Sequence, residues 1–423
     1  MTAPAARPIR TSLLVLAYFA FISLGLPDGL LGVAWPSIAG DFGVATEAVG
    51  LLLIASTAGY FVSSIAAGFA LARTGVGWLL AFSTAAAGAA LAGYALSPAY
   101  AVMVPIALLA GFGGGAIDSG LNAYAASAFG PRHMNWLHAF FGLGVAIGPL
   151  IMTAVLTGGL AWRWGYGIVA SAQACLALAF FVTARSWSRA PVPPAPADPA
   201  PVAGGPAAAP PAPAAGAAAA TAVATADPPA PVRTRDTLAL PAVWLGVLAF
   251  AVYVAVEMGA GLWAFLLLTE ARGVSAAVAG LCVSLYWGSL FVGRVVQGVV
   301  AERLGPARIL TGSLLGMAAG SLLVALPLPA WATVAGLAVI GFAAAPVFPL
   351  LTLTTADRVG RAHADRAIGM QIGAAGLGGA LIPSGIGILL GRFGAGALGA
   401  CLLALSILLV AFYAAATRRP RPA

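Results

Sequence analysis

Three carboxylic acids, Asp28, Asp118 and Glu257, stand inside long apolar stretches where only hydrocarbon or neighbouring helices would surround them. A charge at that depth costs roughly 3 kcal/mol on insertion scales, so acids there are rare and usually serve a function. Away from water a carboxyl is held more cheaply neutral than charged. It can then take a proton from one side of a membrane and release it to the other, provided that access alternates. We therefore expect Asp28, Asp118 and Glu257 to be proton-coupling residues. Asp118 or Asp28 would carry the proton, and Glu257 would be a solute ligand or a second titrating site. The structural alternative is a hydrogen bond across helices or, for Asp28 beside Pro27, a cap on a break in its helix.

Helical spacing groups these acids with other polar and aromatic side chains. Asp118 and Asn122 are four apart and share a face with Gly111 and Gly115. Asp28 does the same with Gly25, Gly32 and Trp35, and Glu257 with Tyr253 and Gly261. Small residues let a neighbouring helix approach while the polar groups look into a cavity. Asn122, Asn135, His138 and Gln371 suit solute hydroxyls. Trp35, Trp263, Trp287, Tyr286 and Phe348 suit stacking against a sugar ring or an aromatic compound, and Tyr253 joins the residues expected to bind solute. The alternatives are interhelical hydrogen bonds for the first set, and packing or interface anchoring for the aromatics. His138 is also a candidate to titrate, since imidazole switches near neutral pH. Arg294, within an apolar stretch of its own, would pair with an acid, bind an anionic solute or snorkel.

Such side chains need helices to hold them, and the composition supplies them. Of 423 residues, 61% are hydrophobic and 8% charged, against about a quarter charged in a soluble domain. Apolar runs between short polar breaks predict twelve helices, near 11–39, 46–72, 77–97, 99–129, 134–158, 163–185, 239–269, 275–301, 307–327, 329–356, 364–391 and 395–416. All are long enough to cross a bilayer. The net charge of +8 comes from arginine alone, with no lysine, and lies in loops and tails. It serves topology, and no nucleic acid is expected as a partner. Cys175, Cys282 and Cys401 are scattered in apolar segments and make neither a disulfide framework nor a ligand set. His133 and His138 lack a third ligand, so we expect no metal and no cofactor. Gly111-Phe-Gly-Gly-Gly falls within a predicted helix and reads as close packing rather than a phosphate cradle. Arg7 and Arg10 precede an apolar run too long for a signal peptide, which reads as an uncleaved first helix.

Between the sixth and seventh helices, Ser186 to Leu238 is dominated by alanine and proline, the composition of a linker without a core. This divides the chain into a six-helix bundle at 1–185, a linker at 186–238 and a second bundle at 239–423. With the N-terminus in the cytoplasm, only Arg163, Arg272 and Arg392 of the loop arginines fall outside. Both termini and the linker are thus expected to be cytoplasmic. The halves also repeat. A shift of 230 lays Gly50-Leu51 on Gly280-Leu281, Gly68 on Gly298, Arg73 on Arg303, Gly75 on Gly305 and Gly111-Phe112 on Gly341-Phe342. With four more residues, Gly144 and Pro149 meet Gly378 and Pro383. Two bundles related this way place a solute site between them near mid-membrane.

With these features the chain resembles the major facilitator superfamily. The signature of that family is a Gly-x-x-x-acid-Arg-x-Gly loop between helices 2 and 3, repeated between helices 8 and 9. The second copy here reads Gly298-Val-Val-Ala-Glu302-Arg303-Leu-Gly305. The first, Gly68-Phe-Ala-Leu-Ala72-Arg73-Thr-Gly75, lacks the acid. The resemblance implies that Gly298, Glu302, Arg303 and Gly305 form a conformational latch. Within the superfamily the chain is similar to the fucose–proton symporter group. The matching positions are Asp28 on helix 1, Asp118 with Asn122 on helix 4, and Gly293-Arg294 on helix 8. It departs by carrying Asp118 where that group has Glu, Ala123 where it has Pro, and His138 where it has Gln after Asn135.

The expectation is an all-α membrane protein with the major facilitator fold, twelve transmembrane helices in two pseudo-symmetric six-helix bundles. Its expected work is proton-coupled symport of a sugar or related small polar solute by alternating access, with sodium as the alternative ion. A proton-driven antiporter exporting drugs or metabolites is the alternative function, and a receptor that kept the fold is a third. No nucleophile–base pair points to an enzyme. We expect a monomer in a bilayer, the inner (plasma) membrane of a bacterium.

Overall fold

The computed structural model of the chain describes residues 11–129, 131–187 and 233–417, which hold twelve helices long and apolar enough to cross a membrane. Residues 188–232, most of the segment expected to be a linker, lie outside the described residues. The first six spans are α1 (Thr11–Phe42), α2 (Val49–Thr74), α3 (Val76–Leu96), α4 (Tyr100–Ala128), α5 (Pro131–Thr157) and α6 (Trp162–Thr183). The second six are α7 (Pro241–Leu266), α8 (Ala276–Leu304), α9 (Pro306–Ala325), α10 (Ala330–Leu353), α11 (Arg361–Phe393) and α12 (Leu398–Thr417). Helix is the form these runs must take, since hydrocarbon offers backbone groups no partner and a helix pairs them internally.

The sequence pattern predicts one unbroken helix at 329–356, and the structure interrupts it. Ala330–Ala344 stops short of Pro346, Val347–Leu353 resumes, and Thr355–Val359 forms a separate turn. Proline supplies no N–H and crowds the preceding turn, which breaks the ladder there.

The repeat is visible in the packing. A Cβ on Gly111 would strike the carbonyl oxygen of Ser56, so α4 lies backbone-to-backbone on α2. Shifted by 230, a Cβ on Gly341 would strike the carbonyl of Tyr286 and pins α10 to α8 in the same way. Gly144 meets Ile22 between α5 and α1, and its counterpart Gly378 meets Ala251 between α11 and α7. The last glycines of the signature loops do a different job. Gly75 and Gly305 turn the chain at φ 78° and 80°, a region that residues with a Cβ avoid. Gly111→Val and Gly341→Val are each expected to lower stability by roughly 1–3 kcal/mol through overpacking. Melting of the purified protein in detergent measures it, and an unchanged midpoint contradicts the close approach.

The halves meet unevenly. Call the face where α1 begins the terminal face. At the opposite face, Gly32 of α1 lies on the backbone of Gly261 and Leu262, Gly50 of α2 on Ser384 of α11, and Gly280 of α8 on Thr153 of α5. The α1–α2 connection follows, with Glu47 lying against Gly387 and Gly391 of α11. Two hydrogen bonds cross between halves among the described residues. Ser284 Oγ donates to the Ala146 carbonyl at 2.5 Å, and Arg294 Nη1 donates to the His138 carbonyl at 3.4 Å. The second is the nearer of the two to the terminal face, and among the described residues none is found beyond it. The molecule is therefore closed at the opposite face.

Candidate functional site

Asp28 sits near the middle of α1, on the wall of a cavity of about 30 Å³ built by both halves. Leu31 of α1 and Leu53 of α2 line one side. Met258 and Leu262 of α7, Trp287 of α8, and Gly379 and Pro383 of α11 line the other. A space of that size holds about one or two waters. Asp28 has no hydrogen-bond or ion-pair partner among the described residues. The helix runs on without a break past Pro27, so Asp28 does not act as a cap.

A larger hollow of about 690 Å³ lies between α3 and α6, away from the seam between halves. It is lined mostly by alanine, glycine and leucine, with Phe181, and Ser171 is its one polar side chain. It presents almost no polar group to a solute, and the chemistry belongs to the smaller space.

Asp118 is held differently from Asp28. Tyr60 of α2 donates its hydroxyl to one carboxylate oxygen at 2.6 Å, and Asn122 donates its amide to the other at 2.9 Å. The i, i+4 spacing read from the sequence is thus a direct hydrogen bond. Glu257 of α7 accepts the hydroxyl of Tyr253 one turn below, and its backbone carbonyl accepts the Tyr286 hydroxyl at 2.7 Å. His138 of α5 is exposed toward the seam and stands edge-on to Phe21 at 5.4 Å between ring centres. His138 falls within electrostatic reach of Asp118 and, across the seam, of Arg294, and Arg294 within reach of Glu257. Arg294 makes no ion pair among the described residues. The pair that does form, Arg163–Asp41, closes a loop at the opposite face, with the guanidinium against Trp162 and Phe42.

Three residues expected to meet solute are placed in packing instead. Trp35 is 1% exposed and donates its indole N–H to the Thr46 carbonyl at 2.9 Å, holding the α1–α2 turn. Trp263, equally buried, donates to the Pro383 carbonyl at 3.0 Å. Gln371 accepts the Thr355 hydroxyl at 2.9 Å inside the second half. Each indole N–H, and the amide oxygen of Gln371, already has a protein partner, because a buried polar group must find one. Tyr253 is also buried, with its hydroxyl on Glu257. Asn122 is half-buried with its amide on Asp118, and His138 is exposed. The side chains of Asn135, Gly298 and Glu302 lie outside the described residues. Arg303 is exposed, and Gly305 turns the chain after α8.

Trp263→Phe separates packing from solute contact. Leaving the Pro383 carbonyl unpaired is expected to lower stability by about 1–3 kcal/mol, with KM for the solute unchanged. A raised KM at unchanged melting would return Trp263 to the site. Sequence reasoning missed Tyr60 as the donor to Asp118. A hydroxyl among the small residues of helix 2, with Ser63 and Ser64 close by, was the available signal. It had no register against helix 4.

The family model described as Major Facilitator Superfamily matches residues 17–383 and 245–423. No curated protein sequence matches the chain. Among solved structures, it is similar to a bacterial homologue of the human lysosomal transporter Spinster, at 14% identity and TM-score 0.71, over 99% of this chain and 100% of that one. A D-xylose–proton symporter aligns at 14% identity and TM-score 0.70, covering 96% and 97%. FucP, a major facilitator transporter in the outward conformation, aligns at 15% identity and TM-score 0.58, covering 96% and 99%. At these identities the likeness is one of fold.

Proposed function

The chain belongs to the major facilitator superfamily, and from that premise we propose that it moves a small polar solute together with protons by alternating access. The observation that carries this reading is Asp28. It is a carboxyl without a hydrogen-bond or ion-pair partner among the described residues, on the wall of a cavity shared by both halves. An acid so placed is satisfied most cheaply by a proton, and it sits where a change of opening alters its access to water. Asp118, with Tyr60 and Asn122, is the second polar station on the first half, and Glu257 with Tyr253 is a third on the second half. Asn122 and His138 supply donors and acceptors for solute hydroxyls. Two similar structures support the class, those of a D-xylose–proton symporter and of the transporter FucP.

On this reading, units 1–185 and 239–423 rock about the seam and 186–238 tethers them. The terminal face is cytoplasmic, so the closed opposite face makes this the inward-facing state. Glu302 and Arg303 serve as the latch on that side. The protein works as a monomer in a plasma membrane.

Reconstitution tests this. In weakly buffered proteoliposomes, adding a transported sugar outside is expected to alkalinise the medium as protons follow it in. Proton efflux from acid-loaded vesicles on adding a drug would favour the exporter. An absence of solute-dependent proton movement with any compound would leave a receptor.

A further inference from the structure

We propose that Arg294 binds a carboxylate on the transported solute, so that the solute crosses as a monoanion together with one proton. This rests on the proton-coupled reading above and names the substrate class within it. Arg294 lies on α8 beside the seam, in the apolar stretch of the span. A guanidinium carries five N–H donors in a rigid fork that fits a carboxylate with two parallel bonds. Here one donor is engaged, at the long distance of 3.4 Å, by a backbone carbonyl of the other half. A charge left so poorly partnered inside a membrane is rare, and it needs an anion once closure removes water.

Among the described residues no neighbouring acid pairs directly with the guanidinium, although Glu257 lies within its electrostatic reach. Glu257 on α7 takes the Tyr253 hydroxyl, and Asp118 on α4 takes Tyr60 and Asn122. Asp28 on α1 lines the cavity by Trp287, two turns along α8 from Arg294. The other groups facing Arg294 are His138 on α5 and, beside Glu257, Tyr253 and Tyr286. Arg294 is the arginine placed beside Glu257, Tyr253 and His138, and it can balance one negative charge. A phosphate dianion would leave its second charge unmatched beside three acids. A neutral sugar would leave the fork empty at occlusion. A polyhydroxy monocarboxylate matches both the fork and the hydroxyl-binding groups Asn122 and His138.

Three probes test it in proteoliposomes of the full chain: gluconate, glucose and glucose 6-phosphate, each under an imposed pH gradient. Gluconate is expected to enter with protons. Because one proton and one carboxylate carry no net charge, a clamped potential should not alter its accumulation. A neutral sugar carrying a proton would instead accumulate about fiftyfold more per 100 mV. Arg294→Lys keeps the charge and loses the fork, and should raise KM for gluconate about tenfold or more. Arg294→Gln should abolish gluconate uptake, with the melting midpoint of both variants showing that they fold. Potential-dependent proton–glucose uptake with gluconate excluded would overturn the carboxylate assignment and leave proton-coupled transport standing. Preference for glucose 6-phosphate would overturn it through the charge balance. Failure of every probe to move protons would overturn both.

Discussion

Asp28→Asn is expected to abolish uphill accumulation while sparing exchange of solute between equal concentrations. The amide has nearly the shape of the protonated acid and cannot release a proton, so the carrier can still turn over loaded but cannot be driven. A pH difference of one unit is worth about 1.4 kcal/mol per proton, enough for about tenfold accumulation. That tenfold ratio should fall to one in the variant. Asp118→Asn should be milder if Asp118 serves as a hydrogen-bonding station, because Tyr60 and Asn122 already occupy its oxygens. Counterflow with labelled solute separates the cases. Uphill uptake by Asp28→Asn at the unmodified ratio would remove Asp28 from the mechanism.

Gly32→Val should have a comparable effect by a different route. A Cβ at Gly32 would lie 2.9 Å from the Leu262 carbonyl oxygen and 3.0 Å from that of Gly261. These are backbone atoms of α7 in the other half, which have no rotamer to adopt. The clash exists only while the opposite face is closed. Overpacking of this kind costs roughly 1–3 kcal/mol, which shifts a two-state balance by about 5- to 150-fold. The variant should therefore accumulate with its opposite face open and transport slowly. Spin labels at Ala45→Cys and Ala271→Cys, in a background without the three native cysteines, report that opening. Their separation should lengthen in Gly32→Val, whereas an unchanged distance in a folded variant would contradict closure at the opposite face.

Much of this was legible before the structure. Apolar length marked all twelve spans, because hydrocarbon thickness and the need to pair backbone groups leave little choice. The constant offset of 230 anticipated the repeat, and it reappears as the paired contacts Gly111–Ser56 and Gly341–Tyr286. Single-helix spacing likewise anticipated Asp118–Asn122 and Tyr253–Glu257. What failed was everything that depends on rotation of one helix about its neighbour. Trp35, Trp263 and Gln371 look like solute ligands by residue type, yet they face carbonyl or hydroxyl partners within their own half. Tyr60 was invisible for the same reason, since its role requires the register of α2 against α4. The break in α10 was readable from Pro346 and was overlooked within a strongly apolar run.

The most direct measurement follows the proton on Asp28 itself. Infrared difference spectra of the full-length protein in lipid, taken between alkaline and acid pH, resolve the C=O stretch of a protonated carboxyl. That band should titrate in the unmodified protein, persist in Asp118→Asn and vanish in Asp28→Asn. An identical band in Asp28→Asn would show that the proton binds elsewhere, and the account built on Asp28 would be wrong.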